Sequence, residues 1–206
     1  MKILAVSDMI VDRLYAADVA SRFCDIGMIL SCGDLPYDYL DFLVSSMNVP
    51  LLYVPGNHDP GFDKRKASTQ VAGGENIDLQ VLSVKGLNIA GIGGSMRYRP
   101  GVPNQYTQPQ MYSRMSRFVP RLLWFLPRHG NVLDVLVAHS PPRGIHDDND
   151  LAHIGFSAFN DFIQTFKPRY FLHGHTAAVM NNIVSPITRV GSTTIINVYP
   201  YRVIEI

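Results

Sequence analysis

Several large protein classes are excluded by what this chain has little of. It carries two cysteines, Cys24 and Cys32, without CxxC spacing. That is too few for a disulfide framework and the wrong pattern for a thiol redox motif, so both read as small buried apolar residues. No uninterrupted apolar run approaches the ~18 residues that span a bilayer. The opening MKILAVSDMI holds too short an apolar stretch for a secretory signal, so the expectation is a cytoplasmic protein with no membrane partner. Net charge is nearly absent: 18 Lys and Arg against 17 Asp and Glu leave +1. The whole-molecule field therefore gives no reason to expect nucleic acid as a partner, and any phosphate recognition has to be local. No internal repeat, linker or low-complexity segment is present. With 206 residues and a 47% hydrophobic composition, the chain is long enough to bury a core and short enough to be one domain, residues 1–206.

What is present begins with a rhythm. An apolar run (Ile3 to Val6), an amphipathic stretch (Ala16 to Phe23), a second run (Met28 to Leu30), a helical stretch (Tyr37 to Met47) and a third run (Leu51 to Val54) read as strand, helix, strand, helix, strand. Continuous apolar strands separated by helices imply a parallel sheet covered on both faces, whose ligands gather at the carboxyl ends of its strands. Residues 59–78 read as a long polar loop. Two apolar runs between Leu79 and Ile92, flanking Lys85-Gly86, suggest a hairpin opening a second sheet. Short helices are expected around Gln110 to Phe118 and Arg121 to Phe125, with Pro120 separating them. Val132 to Ala138 reads as a buried strand, Ser157 to Phe166 as a helix, Arg169 to Leu172 as a strand, and Thr193 to Val198 and Arg202 to Ile206 as closing strands.

Polar clusters sit just past these strands: Asp8, Gly33-Asp34, Gly56-Asn57-His58-Asp59, His139 and Gly174-His175. A mixed Asp, Asn and His set suits manganese, iron or zinc, since carboxylate and amide oxygens serve hard cations and imidazole serves borderline ones. The blocks SDMI (Ser7 to Ile10), CGD (Cys32 to Asp34), GNHD (Gly56 to Asp59), AHS (Ala138 to Ser140) and GHTA (Gly174 to Ala177) resemble, in order, the calcineurin-like metallophosphoesterase signature of DxH, GD, GNH with an acid, a lone His, and GHxH. The resemblance implies a four-layer α/β/β/α sandwich of two mostly mixed β-sheets. It also implies metal-dependent hydrolysis of a phosphomonoester or phosphodiester, with a small phosphorylated molecule as substrate. By that resemblance Asp34 bridges two metals, Asn57, His139 and His175 complete the second site, and Asp8 belongs to the first. His58 then donates a proton to the leaving oxygen and Asp59 orients its imidazole.

The sequence departs from the signature at two places. Ile10 and Ala177 stand where the first metal site has histidines. That site is left with two carboxylates and no imidazole, so the expectation is one firmly bound divalent metal, manganese first with iron, zinc or magnesium as alternatives, and a second that is weak or differently ligated. Either water completes the site or another side chain does, from among Asp12, His146, Asp147, Asp148, Asp150, His153 and His173; the same charged run also reads as a solvated loop. The paired loss motivates a competing reading, a catalytically reduced metal-binding or interaction scaffold on the same fold. His173 reads as a hydrogen-bonded core histidine. Arg97 and Arg143 are candidates for the substrate phosphate, each with a solvated surface arginine as its alternative. The apolar stretch around Trp124 reads as core or as the face of a homodimer.

Overall fold

The computed structural model describes residues 1–61, 63, 65–176 and 187–206. The rhythm at the start folds as β1 (Lys2–Val6), α1 (Val19–Arg22), β2 (Ile26–Ser31), α2 (Tyr37–Met47) and β3 (Leu51–Tyr53). The segment read as a loop carries a 3-10 turn at Ala67–Thr69 and a short strand, β4 (Gly74–Asn76), which pairs in parallel with β3. The hairpin forms as β5 (Val81–Val84) and β6 (Leu87–Ile92). Its two turn residues, Lys85 and Gly86, both have positive φ, 50° and 82°, the geometry that matches the twist of tight hairpins.

β7 (Ser95–Met96) and β8 (Gln105–Tyr106) make a small parallel pair, followed by α3 (Gln108–Phe125), β9 (Val135–Ala138), α4 (Ser157–Phe166), β10 (Tyr170–His173), β11 (Ile187–Val190), β12 (Thr193–Asn197) and β13 (Tyr201–Glu205). One mixed sheet has the order β13-β1-β2-β3-β4 and the other β11-β12-β10-β9-β6-β5.

The expected break at Pro120 does not occur, because α3 runs unbroken through it. Proline in a helix interior removes one backbone hydrogen bond and crowds the preceding turn, at about 3 kcal/mol. Met111, Met115, Phe118 and Leu122 lie along one face of this helix and are buried. Each such side chain contributes roughly 1.5–3 kcal/mol when removed from water, so packing on both sides of Pro120 outweighs its cost. A capping box between Thr107 and Gln110 fixes where the helix starts.

The period of two along the strands explains the layers. Ile3, Ala5, Met28, Leu30, Val135, Val137 and Leu172 point into a core shared by the two sheets. Their neighbours Leu4, Val6 and Ile29 point the other way, against α1 and α2. Leu136, Ala138 and Phe171 point against α3 and α4. Strands buried on both faces have to be apolar throughout, which is why they read as continuous runs. The result is the expected four-layer α/β/β/α arrangement of two mixed sheets face to face. Among the described residues no helix is long and apolar enough to cross a membrane.

Candidate metal centre

Each polar cluster leaves the carboxyl end of a parallel strand: Asp8 after β1, Asp34 after β2, Asn57 and His58 after β3, His139 after β9, and His175 after β10. The first three ride one sheet and the last two the other. The loops cross-link at once, with the Asp8 amide donating to the Gly33 carbonyl at 3.2 Å and the Gly174 amide to the His139 carbonyl at 3.0 Å. Asp8, Asp34 and His175 all adopt left-handed backbone conformations, with φ of 64°, 57° and 67°. Non-glycine residues are uncommon there and persist where surrounding contacts hold them, often at functional sites. Two glycines let the loops close. A Cβ on Gly56 would lie 2.1 Å from Asp34 Oδ1, and one on Gly174 would lie 1.8 Å from Ser7 Oγ.

Asp34, His139 and His175 each present a ligand atom within 4.8 Å of the others. His139 is fully buried, and its Nδ1 donates to the Cys32 carbonyl at 2.7 Å. Its Nε2 therefore faces Asn57 Oδ1 at 3.0 Å and Asp34 Oδ2 at 3.4 Å. In the neutral ring three acceptors point at one spot with no donor among them. Only a proton or a cation relieves that arrangement. Burial lowers the His139 pKa, but the Asp34 and Asp8 carboxylates hold it at about 9, while Asp34 itself, despite burial, is held at about 2 by His139.

His175 donates Nε2–H to the Ala152 carbonyl at 2.8 Å, leaving Nδ1 for the cluster. Burial and the neighbouring charge on His139 push its pKa down to about 3, so it stays a neutral imidazole. Oxygen donors from Asp34 and Asn57 with two imidazoles, each ring steered through its other nitrogen by a backbone carbonyl, fit a divalent cation.

These groups open into a cleft of about 470 Å³ lined by Asp8, Asp34, Asn57, His58, Tyr98, Ala152, His153 and His175. His58 is three-quarters exposed, with Nε2 4.0 Å from Asp34 Oδ2. Asp8 is anchored within the cleft: its Oδ2 accepts the His175 amide at 2.9 Å and the Ser7 hydroxyl.

Asp59 does something other than expected. Its Oδ2 accepts the backbone amides of Asp34 at 2.9 Å and Gly56 at 2.8 Å. It clamps the β2 and β3 loops together, and no described hydrogen bond joins it to His58. The two arginines read as phosphate candidates lie away from these groups. Arg97 turns inward and donates to the Gln105 carbonyl at 3.2 Å, and Arg143 is exposed; neither lines the cleft. Tyr98 does, and its hydroxyl accepts from Asn57 Nδ2 at 3.3 Å. Nothing in the sequence marked Tyr98, because it reaches Asn57 only through the fold of β7 and β8.

The candidates for the missing imidazoles separate clearly. Ile10 is 41% exposed, and Ala177 lies outside the described residues. Asp12 is exposed. Asp147 accepts from the Gly155 amide and Asp148 from the Asn149 amide. His146 and His173 pair with each other at 2.9 Å, with Thr188 Oγ1 on the far nitrogen of His146 and the Gly174 carbonyl on that of His173. That makes His173 a hydrogen-bonded core histidine. His153 is the member of the set that lines the cleft.

A larger groove of about 670 Å³ between α3 and α4 is lined mainly by apolar side chains, among them Met115, Leu123 and Phe162. The stretch read as core or dimer face is split: Leu122 and Leu126 are buried, whereas Leu123 and Trp124 are exposed, with Arg128 stacked 4.2 Å over the indole.

The chain is 26% identical to an uncharacterized protein, MJ1162, of Methanocaldococcus jannaschii, over 97% of this chain and 88% of that one. Among solved structures it is similar to TT1561 of Thermus thermophilus, with a TM-score of 0.65 at 16% identity, covering 96% of this chain and 88% of that one, a likeness of fold. The family model of the calcineurin-like phosphoesterases matches residues 1–178. With this match over most of its length and the four-layer fold, the chain belongs to the calcineurin-like phosphoesterase family.

Proposed function

We propose that the chain hydrolyses a small phosphate ester with a divalent cation, manganese first, held by Asp34, Asn57, His139 and His175. The observation that carries this reading is the convergence of His139 Nε2, Asn57 Oδ1 and Asp34 Oδ2 on one spot, which in the neutral ring holds no donor. A cation bound there lowers the pKa of a coordinated water toward ~7 and so supplies hydroxide at neutral pH. The protein's own groups do the rest. Asp34 orients through the His58 amide, which donates to its Oδ1 at 2.7 Å. The exposed His58 imidazole carries a proton at Nε2 to the departing alcohol oxygen. Tyr98 fixes the Asn57 amide so that Oδ1 faces the cluster.

Charge favours a diester. Among the described residues no lysine or arginine lines the cleft, which already holds the Asp8 and Asp34 carboxylates. With a divalent cation offsetting those two carboxylates, no side-chain charge is left to neutralise the second negative charge of a monoester. The test is turnover of bis-aryl phosphate and aryl phosphate in added manganese by the parent and by Asp34→Asn. We expect measurable hydrolysis, faster on the diester, that Asp34→Asn lowers at least 100-fold while the fold survives. An equally active Asp34→Asn protein would overturn the reading. No bound metal and no hydrolysis would instead favour the scaffold.

A further inference from the structure

Resting on that metal-dependent reading, we infer that His153, braced by Asp150, is the imidazole that serves the metal position beside Asp8, in place of the two histidines the chain lacks. The inference begins with the loop between β9 and α4. A charged run such as His146-Asp147-Asp148-Asn149-Asp150 is ordinarily solvated, but this one is built. Its ends are joined by a bridge between Pro142 and Phe156, and the Phe156 amide donates to the Pro141 carbonyl at 3.1 Å. Gly155 passes so close to Pro142 that a Cβ would lie 2.5 Å from its carbonyl oxygen. Asp147 holds the Gly155 amide at 3.1 Å, and Asp150 Oδ1 holds the Ala152 and His153 amides at 2.9 and 3.2 Å. The loop is also fastened to the metal centre itself, since the Ala152 carbonyl is the partner of His175 Nε2.

The product of this construction is one ring placed in the cleft. His153 lines it together with Asp8 and Asp34, and its centroid stands 5.0 Å from that of His175. Asp150 Oδ2 accepts from His153 Nδ1 at 2.6 Å. A carboxylate can only accept from that nitrogen, so the neutral ring has its lone pair on Nε2, the nitrogen with no described partner. A carboxylate on one imidazole nitrogen and a metal on the other is the usual arrangement of histidine ligands, and it fixes tautomer and orientation together. His153 and Asp8 both stand outside the tight group of Asp34, His139 and His175 and line the same cleft beside it, which is where a second position has room. The residues that would hold the ion there are Asp8, Asp34 and His153.

The experiment is equilibrium dialysis of the metal-stripped full chain against manganese, with bound metal quantified, for the parent, His153→Ala, Asp150→Asn and His153→Gly. We expect two equivalents for the parent, one tight and one weaker. His153→Ala should keep the tight equivalent and lose the weaker one. Asp150→Asn should weaken the second equivalent by about 10- to 100-fold. Free imidazole should restore it to His153→Gly. His153 is 42% exposed, so these variants should fold, which circular dichroism checks. Unchanged affinity for both ions in His153→Ala, or a single equivalent in the parent, overturns the inference. A parent that binds one ion and hydrolyses phosphodiesters sinks this inference alone, whereas one that binds none sinks the proposed function with it.

Discussion

Replacing Asp59 by alanine separates two roles for this carboxylate. In the structure Asp59 is buried, and a single oxygen receives the amides of Asp34 and Gly56. Alanine leaves both N–H groups in an interior too tight to hydrate them, because the loops approach within a Cβ's width of each other. An unsatisfied buried donor costs about 1–3 kcal/mol, so the pair costs roughly 2–6 kcal/mol. For a chain of this size that corresponds to a fall in Tm of about 4–24 °C. Asparagine retains an oxygen of the same reach, so Asp59→Asn should lose less than half of that. The assay is urea unfolding followed by circular dichroism in chelator, so that metal affinity does not enter, with hydrolysis rates measured separately in manganese. If Asp59→Ala unfolds within about 0.5 kcal/mol of the parent, the clamp is refuted. If Asp59→Asn keeps full stability but loses activity, Asp59 acts on His58 after all.

Other consequences are accessible to similar measurements. Manganese at about 100 times its Kd should stabilise the chain by roughly 2.7 kcal/mol, raising Tm, and chelator should reverse it; no shift would mean that the cluster holds no ion. Burial holds His146 down at about 4, below the ~6.5 of an unfolded histidine. Between these values the unfolded chain takes up a proton that the folded chain refuses, so stability falls as pH drops from about 6.5 towards 4. Full conversion of the shift gives about 3 kcal/mol; allowing for solvent screening of a half-buried ring, roughly 1.5 kcal/mol is expected. His173 and His175, each held down at about 3, add to the slope, so His146→Asn should reduce it by this one group's share, and an unchanged slope would refute the assignment. Pro120→Ala should restore a hydrogen bond inside α3 and stabilise the protein by about 1–3 kcal/mol in urea. A loss of stability would show that the ring is needed for packing.

The layers were legible because they follow from local rules, and the strand-end polar clusters because they stand directly after apolar runs. Strands covered on two faces are apolar at every position, so the polar residues directly after them stand out in the sequence. What was not legible depended on partners distant in the chain. Pro120 reads as a break until Met111, Phe118 and Leu122 are known to share one buried face. Asp59 stands beside His58 in the sequence, yet the left-handed backbone at Asp34 and the close pass of Gly56 draw its carboxylate to main-chain amides. Arg97 and Arg143 have the right chemistry for phosphate, but direction decides, and Tyr98 between Arg97 and Arg99 faces the cleft instead. The strands β4 and β11 are short and lack a continuous apolar run, so neither announced itself.

Because Asp34 and Asn57 extend from one sheet while His139 and His175 extend from the other, an ion seated among them works as a rivet through the seam. Its grip senses how the two layers lie against each other. A void opened deep between them, for instance by Leu30→Ala or Val137→Ala, would let the halves slip by fractions of an ångström. Metal affinity would then register damage that no ligand has suffered.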